Sequence, residues 1–294
     1  KALLQEKSVD REINADAVAE YLTFMWAPTP STMLKKVHKL EQGHYLTIFD
    51  NHVSDKSEFY DYPHSTQESK LTEFEAIEKT RTYLEQAVRS QLVSDVPMGA
   101  FLSGGLDSSS IVALAKKIEP DIDLPCFTID FKDDRLKQEG MAEDLPYAEQ
   151  VATHLGLPLN KVTVGSDMIM DLEKMIYQLD EPQADLAPLN AMYISELAKS
   201  QGIKVLFSGT GGDDIFTGYR RHYALQKERY WNWLPYHARK TLRKVSSMLP
   251  VENPQLRRVA KAFQYADYDK SPRLASYFYW IDPEISLNLF SQDF

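Results

Sequence analysis

One cysteine among 294 residues means that no disulfide can close within the chain, and no paired-thiol centre can be built from it. The seven histidines do not fall at metal-ligand spacings, so a zinc constellation is not expected. Apolar runs of the roughly 18 residues needed to cross a bilayer are missing too. The opening segment KALLQEKSVD has no apolar core followed by a small-residue cleavage site. These absences set the expectation of a soluble protein in a reducing, cytoplasmic setting, with no membrane partner. No Gly-Lys-Ser or Gly-Lys-Thr triplet closes a Walker A loop, no GxGxxG follows a strand, and no GxSxG elbow marks a hydrolase. Positive charge is scarce as well: the formal net charge of −10 makes the surface on average repel nucleic acid and phosphate. Nucleic acid is therefore not expected as a partner. A phosphate site here has to supply its own compensation from backbone N–H groups, arginines or a metal.

What is present suits a globular enzyme. Hydrophobic residues at 43% and charged residues at 26% lie in the ordinary range, and the length leaves room for a large core plus an appendage. Apolar residues at helical spacing over 15–26 end at Pro28 and Pro30, and a short strand is expected over 44–49. The polar stretch 50–70 reads as a boundary or linker. Residues 71–92 form an amphipathic helix with Phe74, Ile77, Leu84 and Val88 on its apolar side. Then short apolar runs at 98–102, 126–131, 161–164 and 204–207 alternate with helical patterns at 109–118, 146–155 and 187–200. Strand, helix, strand predicts an α/β fold, a parallel sheet flanked by helices. In such sheets ligands bind beyond the carboxyl ends of the strands.

Two of the loops at those ends carry chemistry. FLSGGLDSSSIVALAKK runs from a buried strand through Gly104 and Gly105 into a helix. The glycines permit backbone conformations and close approaches that a Cβ forbids, and successive N–H groups with Ser108, Ser109 and Ser110 make an anion cradle. Asp107 within that cradle calls for a magnesium ion between its carboxylate and phosphate oxygens. An ordinary capped strand-to-helix turn is the alternative reading. The second loop, VLFSGTGGDDIFTGYRRH, gathers Ser208, Gly209, Gly211 and Gly212 with Asp213 and Asp214. Here two aspartates capping a helix are the alternative.

SGGLDSS after a buried strand resembles the signature of the ATP pyrophosphatases. That superfamily includes asparagine synthetases, other amidotransferase synthetases and tRNA-modifying enzymes. The second loop is similar to the asparagine synthetase block that ends in a glycine-tyrosine pair, here Gly218 and Tyr219. EYLTFMWAPTPSTMLKKVHKLEQGHYLTI resembles the junction between a glutaminase and a synthetase domain. The resemblance implies an adenine nucleotide alpha hydrolase-like sheet with a helical C-terminal extension. Residues 1–66 would be the junction, 67–225 the synthetase domain and 226–294 the extension, in a fragment of a longer protein. It also implies ATP and Mg2+ as cofactors. Leu102, Ser103, Gly104, Gly105, Asp107, Ser108, Ser109, Ile129, Ser208 and Gly209 would border the nucleotide, with Leu102 and Ile129 on the adenosine. Asp107 and Asp213 would be the catalytic carboxylates at magnesium. The implied reaction has a carboxylate of aspartate attack the α-phosphorus of ATP, giving an acyl-adenylate and pyrophosphate. Ammonia from glutamine, hydrolysed in a separate domain, then displaces AMP.

The chain departs from that pattern at two points. Thr210 stands where asparagine synthetases usually carry a glutamate, which leaves the acceptor open between aspartate and another carboxylate. Cys126, in an apolar strand, is no candidate for a glutaminase nucleophile. Basic stretches such as HARKTLRKV and LRRVAKAF keep a tRNA-modifying enzyme as a rival, and Thr210 keeps a non-catalytic nucleotide-binding module. Arg220, Arg221 and His222 are either further anion contacts or plain surface. The charged insert 132–144 is either a flap or a surface loop. A homo-oligomer remains open.

Overall fold

The computed structural model describes residues 1–62, 70–132, 144–183, 185–250 and 252–291, so all but the two end residues of the charged insert lie outside it. Two compact units emerge. One comprises 1–61, 181–184 and 213–294, the other 62–180 and 185–212.

The first unit begins with helix α1 (Ala15–Phe24), opened by the Asn14 side chain accepting from the Ala17 N–H and closed by Met25 in the left-handed region. Strands β1 (His44–Phe49) and β2 (His52–Glu58) pair antiparallel, Phe49 opposite His52. Strand β2 thus occupies the start of the stretch 50–70 expected as a boundary or linker, and the division between the two units falls within it, after Asp61. Asp50 and Asn51 both take positive φ, 49° and 58°, which is the two-residue turn whose twist matches a hairpin. Strand β2 lacks the alternation that marks a strand because its side chains are nearly all exposed.

The second unit holds the sheet. Helix α2 (Glu73–Gln91) starts with a capping box between Thr72 and Glu75. Its apolar side is shorter than the spacing suggests: Val88 is buried and Leu84 half-buried, whereas Phe74 and Ile77 are 74% and 56% exposed. Next come β3 (Met98–Phe101), α3 (Leu106–Ile118), β4 (Cys126–Phe131), α4 (Leu145–Leu155), β5 (Leu159–Val164), a 3-10 turn at Ser166–Asp171, α5 (Leu172–Gln178), α6 (Ala187–Ser200) and β6 (Val205–Phe207). The four strands run parallel in the order β5-β4-β3-β6. Val88, Leu92, Val112, Ala115, Ala148 and Ala152 from α2, α3 and α4 pack on one face of the sheet. On the other face Phe127, Phe131 and Val164 meet Met175, Leu189, Ile194 and Ala198 from α5 and α6. Burial on both faces is why these strands read as continuous apolar runs. From β3 the chain winds outward to β4 and β5, then returns to add β6 on the opposite side of β3. That reversal makes a crevice at the carboxyl ends of β3 and β6.

The rest of the first unit is helical: α7 (Gly212–Ile215, from the last residue of the sheet unit) and α8 (Arg220–Lys227), then, in the C-terminal region expected to be helical, α9 (Tyr236–Ser246), α10 (Pro254–Phe263), α11 (Lys270–Ser276) and α12 (Pro283–Leu287). The Trp280 N–H donates to the Thr23 carbonyl at 2.8 Å, tying this segment to α1. The Glu228–Arg273 pair is buried at 5% and 7% side-chain exposure, with N–O 2.7 Å, and the Arg273 guanidinium lies over the Trp231 ring.

Candidate functional site

The loop after β3 turns at Gly104, whose φ is +84° and where an added Cβ would lie 2.5 Å from the Ala148 nitrogen and 2.6 Å from the Asp144 carbonyl. Only glycine fits there. Gly105 differs from what the glycine pair suggests: at φ −66° and ψ 161° it is ordinary extended backbone and serves as the N-cap of α3. The helix accordingly begins at Leu106 rather than at 109, so Asp107 and Ser108 sit in its first turn. No side chain caps that turn, which leaves amide groups at the positive end of a 13-residue helix for an anion.

Ser108 is buried, and its hydroxyl is spent on the loop itself. It takes a bond from the Ser103 N–H at 3.2 Å, donates to the Gly105 carbonyl at 3.3 Å and meets the Ser103 hydroxyl at 3.0 Å. Ser108 therefore braces the cradle where the sequence suggested a donor to the ligand. Ser109 Oγ is buried without a hydrogen-bond partner among the described residues.

The loop after β6 reaches the same place. A Cβ on Gly209 would fall 2.6 Å from the Ser108 nitrogen and 2.7 Å from the Asp107 carbonyl carbon, and one on Gly212 would land on the Asp107 carboxylate. Two glycines about a hundred positions downstream are thus the residues that let the second loop close on the first. Ser208 and Thr210, both exposed, join hydroxyls at 2.6 Å, and the Thr210 N–H donates to Ser208 Oγ at 3.1 Å.

Beside the cradle, at the strand ends, opens a cavity of about 320 Å³ lined by Phe101, Leu102, Ser103, Thr128, Ile129 and Asn190, among others. Leu102 and Ile129 share this cavity, and Ser103 connects it to the cradle. Asn190 Oδ1 is buried without a partner among the described residues, a polar acceptor in a largely apolar wall. Sequence reading passed over Asn190, Thr128 and Phe101. A weak helix former in the first turn of α6 was the available signal for Asn190.

Asp213, the residue after Gly212, falls in the other unit with Asp214. There the Gly218 N–H donates to the Asp213 carbonyl at 2.9 Å, and a Cβ on Gly218 would overlap the Asp213 carboxylate, which explains that glycine. Among the described residues no three His, Cys, Asp or Glu side chains are grouped to hold a metal by themselves. Burial pushes the Cys126 thiol up to about 12, which leaves it inert as a nucleophile at neutral pH. Among the described residues no helix is long and apolar enough to cross a membrane.

Residues 79–284 match the family model described as asparagine synthase, and residues 1–60 match one described as a glutamine amidotransferase domain. Asparagine synthetase (glutamine-hydrolyzing) 1 of Bacillus subtilis is 32% identical over 245 residues, 82% of this chain and 37% of that protein. Amidase chyE of Penicillium rubens is 28% identical over 209 residues, 66% of this chain and 30% of that protein. Asparagine synthetase (glutamine-hydrolyzing) 3 of B. subtilis is 27% identical over 245 residues, 80% of this chain and 39% of that protein. The chain thus spans 30% to 39% of the length of these curated relatives.

Proposed function

Because this chain belongs to the asparagine synthase family, we propose that it joins ammonia to a carboxylate, with ATP split to AMP and pyrophosphate, aspartate being the first acceptor to test. The observation that carries this reading is the closure of Gly209 and Gly212 onto Asp107 and Ser108 beside a cavity shared by Leu102 and Ile129.

In this reading the cavity takes the adenine: Leu102 and Ile129 supply apolar walls, and the unpaired Asn190 Oδ1 accepts from an exocyclic amino group. The uncapped first turn of α3 takes the pyrophosphate, with Ser109 Oγ as an unspent hydroxyl nearby. These donors are fixed by the glycine contacts before charge develops, and one preorganised donor of this kind contributes about 3 kcal/mol to a transition state. The acceptor carboxylate attacks the α-phosphorus, pyrophosphate leaves, and ammonia displaces AMP from the acyl group.

The donor set fits magnesium only in part. Asp107 offers a carboxylate against which Gly212 packs closely, and the described residues group no three metal-binding side chains. That matches a cation which takes one or two carboxylates and completes its shell with phosphate oxygens and water. Asp107 and Asp213 are the residues assigned to hold it, and the ion would offset charge on the leaving pyrophosphate.

The match of residues 1–60 to a glutamine amidotransferase model supports glutamine as the source of ammonia, and Cys126 is excluded as its nucleophile by burial. Residues 1–66 are assigned as the junction to that activity, in a cytoplasmic enzyme. Thr210, together with a relative named as an amidase, favours including carboxylates other than aspartate.

The deciding experiment follows magnesium-dependent pyrophosphate release from ATP with ammonium and a panel of carboxylates. Release with aspartate, lost in Asp107→Asn, supports asparagine formation. Release with another acid alone reassigns the acceptor, and ATP binding without release from any acid refutes the reading.

A further inference from the structure

The helical unit has a cavity of its own, about 440 Å³, lined by Tyr219, Arg220, Arg221, Lys261, Phe278 and Trp280 among others. Three cationic side chains on one cavity stand out in a chain of net charge −10. Arg220 and Lys261 have no ion-pair partner among the described residues, and Arg221 has only Asp214 at a loose 3.7 Å. The Arg221 guanidinium carbon lies 4.2 Å from the Tyr219 ring centroid and 5.2 Å from that of Phe278, and Lys261 Nζ is 6.0 Å from that of Trp280. Two buried polar atoms of this helix turn, Arg221 Nε and His222 Nδ1, have no hydrogen-bond partner among the described residues. Of these two residues Arg221 lines the cavity, and an acceptor entering there would offset the cost of its unmade bond.

We propose that this cavity binds a carboxylate carried on an aromatic body. A guanidinium held over ring faces offers N–H groups around its edge, and a planar carboxylate meets that edge with two parallel bonds. The flat body attached to it then lies against the same rings, where offset or edge contacts stabilise it. A tetrahedral phosphate matches the charge but not the rings, and a neutral aromatic matches the rings but not the charge. The volume is that of a small-molecule site, larger than a simple aliphatic acid requires. This inference rests on the lining of the helical unit alone and stands apart from the amide-forming reading.

The probe is 3-phenylpropionate, titrated into the 294-residue chain by calorimetry and by tryptophan fluorescence, beside 3-phenylpropionamide, propionate and inorganic pyrophosphate. Saturable binding of the aromatic acid is expected, with a fluorescence change that Trp280→Phe removes. Each of the other three probes should bind about tenfold more weakly or worse, the amide because it lacks the charged bond, propionate and pyrophosphate because they lack the ring contacts. Arg220→Gln and Lys261→Gln, both at exposed positions that leave the fold intact, should weaken the aromatic acid by a similar factor. Equal affinity for the amide, tighter binding of pyrophosphate, no effect of either substitution, or no binding in the wild-type chain overturns the proposal.

Discussion

Single residues decide whether the two loops can meet. At Gly209 a methyl group would strike the Ser108 backbone nitrogen, which has no flexible end to move. Gly209→Ala should therefore displace the first turn of α3 while the protein stays folded, and a misplacement of about 1 Å lowers a rate roughly a hundredfold. Pyrophosphate release measured beside circular dichroism checks this, and a wild-type rate would mean the convergence has no function. Gly105→Ala is the control: its methyl would meet only Ser103 Oγ at 3.3 Å, so a change of a few-fold at most is expected. Cys126 gives a second test at this scale. Buried and pushed up to about 12, it should resist iodoacetamide at pH 8 in the folded protein and react fully in denaturant. Because the unfolded thiol ionises from its ordinary value of 9.0 while the folded one does not, stability should fall as pH rises from 9 towards 12.

Among the elements, α2 is the clearest case of a helix specified at its start and left open along its face. The Thr72 N–H donates to Glu75 Oε2 at 2.8 Å and the Glu75 N–H to Thr72 Oγ1 at 3.3 Å. Thr72→Ala should cost about 1 kcal/mol, read from the denaturation midpoint. The Thr72 N–H, together with the Thr72 hydroxyl donating to the same Oε2 at 2.8 Å, holds the Glu75 carboxyl below its ordinary 4.5. The contribution of the box is accordingly complete above 4.5 and lost as pH falls through the lowered value, which amide exchange at the first turn of α2 will detect. Of the hairpin, β1 was legible as the short strand expected over 44–49, whereas the Asp50-Asn51 turn and β2 were not, because an exposed strand buries no pattern to read.

For the whole molecule, burial patterns account for what the chain announced. The four apolar runs became strands because both faces of their sheet are covered, and SGGLDSS sat where such a sheet puts its ligand site. In the helical unit the balance is different, and Glu228 with Arg273 forms its buried ionic centre. Arg273→Met alone leaves a buried carboxylate without a counter-charge and should cost roughly 3–5 kcal/mol, while Glu228→Gln with Arg273→Met should restore most of that loss. Equal stability of the single and double variants would refute this. By itself the sequence determined the alternation of strands and helices, the two glycine-rich loops and the family to which they point, because these depend on neighbours within a few positions. Only the tertiary structure decided that Gly209 and Gly212 press on Asp107, that Asn190 enters the cavity of Leu102 and Ile129, and that Arg221 meets Phe278. Each joins residues tens to a hundred positions apart, and no local periodicity records which distant backbone will arrive beside a given side chain.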